Sequence, residues 1–133
     1  MDQCRYRVVF DDFTKNHFIK NFRKKYKVRW LRTHDSIVSV CEHIQSVLRT
    51  GRADLISVVN NYGLVKLDFA IVGLKISPKA SGNRCILLVD NEVRVVKILL
   101  VYAKTDIPSH NETRAWKNII GEEFPEMKKV FNL

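Results

Sequence analysis

The chain has 133 residues, of which 46% are hydrophobic, enough for one domain with a packed core. No run of about 18 apolar residues is present, and the amino terminus lacks the apolar core of a signal peptide, so neither a membrane span nor secretion is expected. The net charge of +9 excludes an acidic surface and predicts a polyanionic partner, nucleic acid before acidic protein. An inert basic surface is the alternative.

The cysteines indicate a reducing compartment. Cys4, Cys41 and Cys85 are odd in number and widely spaced, and no CxxC pair is present. This pattern predicts reduced thiols in a cytoplasmic protein. Because cysteines and histidines do not cluster, no metal is expected, and no cofactor is predicted.

The first half of the chain predicts a strand followed by two helices. The alternating segment Arg5–Phe10 is the strand, and Asp11 or Asp12 caps a helix over residues 13–27. The exposed face of this helix is basic and is either a solvated face or a nucleic-acid surface. Its cations include Lys15, Lys20, Arg23, Lys24, Lys25 and Lys27.

A second helix follows a short basic link. The link runs over residues 28–32 and contains Trp30, which is either a core residue or a platform for a base. Apolar residues at helical spacing after Thr33 or Asp35 predict an amphipathic helix that Gly51 ends. The short link predicts that the two helices pack as an antiparallel hairpin.

The second half predicts a run of strands and a last helix. Residues 64–71, 84–89 and 92–103 are the clearest strands, and Asn60–Asn61 and Asp90–Asn91 mark turns. Ser109 and Glu112 have the spacing of a capping box before the last helix.

Together these elements predict an α+β fold. An N-terminal helical hairpin would pack on one face of a small antiparallel β-sheet, with a short C-terminal helix and the other sheet face free to bind. The prediction is a single domain over residues 1–133, with residues 122–133 as a loose tail.

The order of elements and one segment resemble the RelE/ParE superfamily of bacterial type II toxins, from Arg5 to about Gly121. A loop with Lys, Ser and Gly leads to Gly82-Asn83-Arg84, and a strand hairpin then ends in Tyr102, Lys104 and Asp106 before a final helix.

The resemblance implies two kinds of activity and one partner. Members like RelE are ribonucleases that cut mRNA in the ribosomal A site, whereas members like ParE poison DNA gyrase. A cognate antitoxin neutralises either kind. We therefore predict a ribosome-dependent mRNA endonuclease toxin whose partners are an antitoxin, the ribosome and mRNA. The alternatives are a non-enzymatic gyrase inhibitor and a basic RNA-binding module without toxicity.

The chemistry expected of a metal-independent nuclease selects five candidate catalytic residues. Arg84 suits a phosphate clamp, because a guanidinium matches phosphate oxygens two at a time. Lys75 and Lys79 can add positive charge or act as a base, and Tyr102 and Lys104 are candidates for the acid and for base stacking. RelE-like nucleases carry active arginines, lysines and a late aromatic on equivalent strands. The candidate RNA-binding residues are Lys20, Arg23, Lys24, Lys27, Arg94 and Lys97.

Other roles and two registers remain open for these residues. The lysines can simply discourage the exposed sheet edges from pairing with other chains, and Tyr102 can belong to the core. Strand parity puts Tyr102, Lys104 and Arg94 on one face. A two-residue turn would place Arg84 opposite Lys97, whereas a three-residue loop would turn it toward Tyr102 and Lys104.

Overall fold

The computed structural model describes residues 5–107 and 109–133, with the backbone alone for Ser109, so Cys4 and Pro108 lie outside the described residues. Its centre is a five-stranded sheet in the order β1-β5-β4-β3-β2, in which β1 is parallel to β5 and the other neighbours are antiparallel. The sheet is therefore mixed, where an antiparallel one was predicted. The strands are β1 (Arg7–Phe10), β2 (Ala53–Val59), β3 (Tyr62–Phe69), β4 (Asn83–Asp90) and β5 (Val95–Ala103).

Helices precede, interrupt and follow the strands. They are α1 (Asp12–Asn16), α2 (Ile19–Tyr26), α3 (Val28–Glu42), α4 (Ile44–Arg49), α5 (Pro78–Ser81), α6 (Glu112–Glu123) and α7 (Pro125–Phe131). Short 3₁₀ turns cover Lys104–Asp106 and Ser109–Asn111. Within the described residues, no helix is both long enough and apolar enough to cross a membrane.

The N-terminal helices differ from the prediction at their joints. Asp11 caps α1 as expected, since the Phe13 N–H donates to Asp11 Oδ1 at 3.0 Å. The predicted helix over residues 13–27 is broken between α1 and α2. The predicted link at residues 28–32 is wrong, because Lys27 takes a positive φ of 52° and α3 begins directly after it. Trp30, only 2% exposed, is a core residue.

Both faces of the sheet are covered. We call the face under α2, α3 and α4 the N-terminal face and the face under α6 and α7 the C-terminal face. Helix residues such as Phe22 and Trp30 pack on Leu67 and Cys85 at the first. The second buries Leu64, Ile86 and Tyr102 under Trp116, Ile120 and Phe131.

The prediction of a free sheet face is therefore wrong. Trp116 and Ile120 give α6 an apolar side that gains more from burial than from exposure to water. Residues 122–133 complete α6 and form α7, where a loose tail was expected, and Phe131 is 7% exposed. Phe124, Met127 and Phe131 have the i, i+3, i+7 spacing of an amphipathic helix and pack on the C-terminal face, so this segment carried a helical signal that the prediction missed.

The β4–β5 hairpin has neither of the two turns that were considered. Asp90 pairs with Val95, so residues 91–94 form the loop, and the Asp90 carboxylate accepts from the backbone of Glu92 at 3.0 Å. Leu99 is an extra residue on β5, which makes a bulge and shifts the register. Arg84 consequently pairs with Tyr102, on the face that the longer loop predicted.

Candidate functional site

Arg84 lies in the middle of a row of three side chains that crosses the sheet. Asp68 of β3, Arg84 of β4 and Tyr102 of β5 are direct neighbours across the strands and share the C-terminal face. Arg84 Nε lies 2.9 Å from Asp68 Oδ1 and 3.8 Å from Glu112 Oε2 on α6, and 15% of the Arg84 side chain is exposed. We call this row of three residues, together with Glu112 of α6, the arginine row.

Tyr102 completes the row as a buried hydrogen-bond donor. Its side chain is 0% exposed, and its hydroxyl donates to Glu112 Oε2 at 2.7 Å. Burial, and then the hydrogen bond and charge of Glu112, raise the pKa of Tyr102 well above its usual range. Tyr102 therefore keeps its proton at neutral pH, and its buried ring has no free face for a nucleotide base.

The charges of the arginine row do not favour a further anion. Asp68 and Glu112 both face the Arg84 guanidinium, so two carboxylates surround one cation. Burial raises the pKa of Asp68, while the charge of Arg84 acts in the opposite direction. Although Arg84 Nε lies only 2.9 Å from Asp68 Oδ1, its N–H makes no hydrogen bond within the described residues. One donor of the guanidinium is therefore unsatisfied. A phosphate reaching Arg84 must displace a carboxylate.

Lys104 and Lys79 lie at the same end of the sheet as Arg84. Lys104 directly follows β5 and packs on Gly82, where an added Cβ would lie 2.9 Å from the Lys104 Cβ. Gly82 also has a φ of +78°, a backbone conformation that favours glycine. Both the close contact and the backbone conformation therefore favour glycine at this position. Lys79 on α5 lines a cavity of about 280 Å³ with Arg52, Asp54 and Asp68 among its walls.

Lys75 lies outside this group. It is exposed in the segment between β3 and α5, and within the described residues it makes no ion pair or side-chain hydrogen bond. The structure thus brings Lys79, Arg84 and Lys104 to one sheet end, with Tyr102 beneath them, and leaves Lys75 apart.

The candidate RNA-binding residues are spread over separate surfaces. Lys20, Arg23 and Lys24 are exposed on α2, and Lys27 is exposed directly after it, on the opposite side of the sheet from the arginine row. Lys97 lies on the C-terminal face, where its Nζ is 3.3 Å from Asp11 Oδ2.

The predicted common face of Arg94, Tyr102 and Lys104 is wrong. Arg94 lies in the hairpin loop with a φ of +55°, and Lys104 lies in a 3₁₀ turn. The bulge at Leu99 also breaks strand parity between them. Arg94 is about 20 Å from Arg84, from the rise of a strand over residues 84–90.

The sequence did not reveal the two carboxylates that hold Arg84. Asp68 alternates with the buried residues of β3, which puts it on the opposite face from Leu67 and Phe69, but its pairing with Arg84 depends on register. Glu112 was assigned to a capping box. The cap of α6 is instead Asn111, without a side-chain hydrogen bond, and Glu112 points to Tyr102. Among the described residues, no group of three or more His, Cys, Asp or Glu side chains is placed to hold a metal ion.

The fold is similar to a chain of the archaeal RelE–RelB complex from Pyrococcus horikoshii OT3. The superposition has a TM-score of 0.52 at 17% sequence identity and covers 75% of this chain and 96% of that chain. The chain has a RelE-like fold. No family model matches the sequence, and no curated protein matches it. The RelE-like fold therefore rests on three-dimensional similarity, while the arginine row and its surroundings come from this chain's own geometry.

Proposed function

We propose that the chain is the toxin of a type II toxin–antitoxin pair and that it stops translation by cutting mRNA on the ribosome in the cytoplasm. The observation that carries this proposal is the RelE-like fold, since the similar chain belongs to a RelE–RelB complex. The net charge of +9 supports an anionic partner such as mRNA or ribosomal RNA.

The residues proposed for cleavage are those at the sheet end. Arg84 would clamp the phosphate after exchanging a carboxylate for it. Lys79 and Lys104 would supply positive charge, with Lys79 accepting the proton of the attacking 2′-hydroxyl and Lys104 donating a proton to the departing 5′-oxygen. Lys75 would add charge from its exposed segment. Tyr102 would act through Glu112 as a positioning residue, because its ring is buried.

The test is mapping of mRNA 5′ ends in a purified translation reaction. We expect wild type to cut within codons only when ribosomes are present, and Arg84→Ala to lose the cuts. Lys129→Ala, which removes an exposed cation from α7, is the matched control and should cut normally. Asp68→Asn removes a carboxylate that competes for Arg84 and should preserve or increase cutting. Intact mRNA at a dose that stops growth would refute the nuclease proposal.

A specific observation favours a second function, inhibition of DNA gyrase without catalysis. Arg84 is held by two carboxylates and Tyr102 is buried, so the predicted catalytic set is not assembled for attack on a phosphate. In that case the toxin would leave mRNA intact and would inhibit supercoiling in a purified gyrase assay. Arg84→Ala would then retain its toxicity, provided that it remains folded.

The proposed antitoxin should be acidic and partly helical, and it should cover the basic surface of the toxin. Charge complementarity predicts this, because exposed cations outnumber their carboxylate partners on α2. The purified complex should dissociate more readily as salt concentration rises. A complex whose dissociation does not change with salt would contradict this electrostatic explanation.

A further inference from the structure

A pocket of about 480 Å³ opens between α1, α2, α3 and the end of β1. It lies beside the helices that cover the N-terminal face, away from the arginine row. Its volume is within the usual range for small-ligand sites. Phe10, Trp30, Leu31 and His34 supply its apolar and aromatic walls. Leu31, which is 60% exposed, adds an apolar side chain to the lining.

The walls present stacked rings. Phe10 and His34 lie with their ring centroids 4.6 Å apart and their planes at 14°, and Trp30 meets His34 edge-on at 6.3 Å. Trp30 is buried, whereas the His34 side chain is 40% exposed. The His34 ring is thus fixed by neighbours on the inside and remains accessible from the pocket, which suits a planar ligand.

The rim of the pocket is positive. Lys15 and Arg23 line it. No carboxylate is among the described lining residues, and the neighbouring one, that of Asp35, lies 3.7 Å from His34 Nδ1 and is 88% exposed. Lys15 meets Asp12 only at 3.7 Å, and the Asp12 side chain is 95% exposed, so this ion pair is weak. Arg23 has no ion pair within the described residues. Two cations beside aromatic walls fit an anion that carries a flat ring.

We propose that this pocket binds one unpaired nucleotide of a single-stranded nucleic acid. The base lies against His34, and the adjoining phosphates lie between Lys15 and Arg23. Stacking platforms beside cations are the usual means of holding single strands, since every base has a flat face and every linkage a charge. An acidic peptide would satisfy the cations and leave the aromatic walls without a planar partner. The pocket requires neither a ribosome nor cleavage.

The test measures binding of a labelled oligouridine to the full chain by fluorescence anisotropy. Arg23→Ala should weaken binding about tenfold, whereas Arg114→Ala, which removes an exposed arginine on α6 that does not line the pocket, should change it less than about twofold. His34→Ala should weaken binding about tenfold, as expected for loss of one stacked base, and His43→Ala should not. Comparing an RNA oligomer with a DNA oligomer of the same length shows whether the pocket binds single-stranded RNA or single-stranded DNA more tightly.

An oligomer of the same length in which abasic linkages replace the nucleotides provides the decisive control. The pocket predicts that this oligomer binds about tenfold more weakly to wild type and equally weakly to His34→Ala. Equal losses for Arg23→Ala and Arg114→Ala, or equal binding of the abasic oligomer, would overturn the proposal in favour of diffuse charge. The proposal would also be overturned if the chain bound an acidic peptide and did not bind the oligouridine. Because no ribosome is present, failure of the nuclease proposal leaves this result unaffected.

Discussion

Replacing Tyr102 with phenylalanine tests the arginine row through one hydrogen bond. The ring stays in its buried place, and only the hydroxyl that donates to Glu112 at 2.7 Å is removed. A hydrogen bond to a charged group contributes about 1.5 to 3 kcal/mol to the free energy of unfolding. Because the Glu112 side chain is 20% exposed, water can replace part of the loss, so we expect about 1.5 kcal/mol at pH 8.

The effect of this substitution should disappear at high pH. Burial and Glu112 raise the pKa of Tyr102 in the folded protein, whereas in the unfolded chain the phenol ionises near pH 10. Above about pH 10 the unfolded chain releases a proton that the folded chain retains. The stability due to Tyr102 is therefore complete below pH 10 and falls as pH rises, by about 1.4 kcal/mol per pH unit. Wild type and Tyr102→Phe should become about equally stable near pH 11.

Urea unfolding followed by tryptophan fluorescence at several pH values between 8 and 11 measures this difference. Burial raises the pKa of the Cys41 thiol to about 12 and raises that of Cys85 as well, but both effects are common to the two proteins and cancel. Tyr62→Phe is the control, since Tyr62 is exposed and makes no side-chain hydrogen bond within the described residues. A stability difference for Tyr102→Phe that stays constant from pH 8 to pH 11 would refute the reasoning.

Three further substitutions test the fold by the same urea measurement. Gly82→Ala should cost about 1 kcal/mol more than Gly51→Ala, because both glycines have positive φ but only the first meets a side chain, at 2.9 Å. Phe131→Ala should cost about 3 kcal/mol if α7 is packed as described, and almost nothing if residues 122–133 are a loose tail. Thr14→Val should cost about 1 to 2 kcal/mol, because the hydroxyl reaches the carbonyls at the β5 bulge at 3.0 and 2.6 Å; an unchanged stability would argue against that contact.

Local patterns in the sequence predicted most strands and the two main helical segments. Hydrophobic spacing identified α2 and the later part of α3, and β-branched runs identified β3, β4 and β5. The joints were missed because they depend on single backbone conformations. Lys27 adopts a positive φ, which few non-glycine residues do, and no composition signal marks it.

The candidate site was less predictable because it depends on register. The longer hairpin loop and the extra residue Leu99 decide that Arg84 faces Tyr102, and both are properties of paired strands. The ion pair with Asp68 follows from a second register, that of β3 and β4. Glu112 comes from α6, whose start was predicted but whose packing on the C-terminal face was not. The β4–β5 register, the β3–β4 register and the packing of α6 all had to be known before Arg84 could be recognised as ion-paired.

Ion pairs compensate the exposed cations unequally over the described surface. At the sheet end and on the C-terminal face, Arg84 and Lys97 are paired with carboxylates, whereas the exposed Lys79 and Lys104 have no ion pair within the described residues. On α2, Lys20, Arg23 and Lys24 are exposed and have no ion pair within the described residues. Long-range attraction depends on such uncompensated charge. We therefore expect the α2 surface and the two sheet-end lysines both to attract the proposed nucleic acid, whereas Arg84 can bind it only after a carboxylate is displaced.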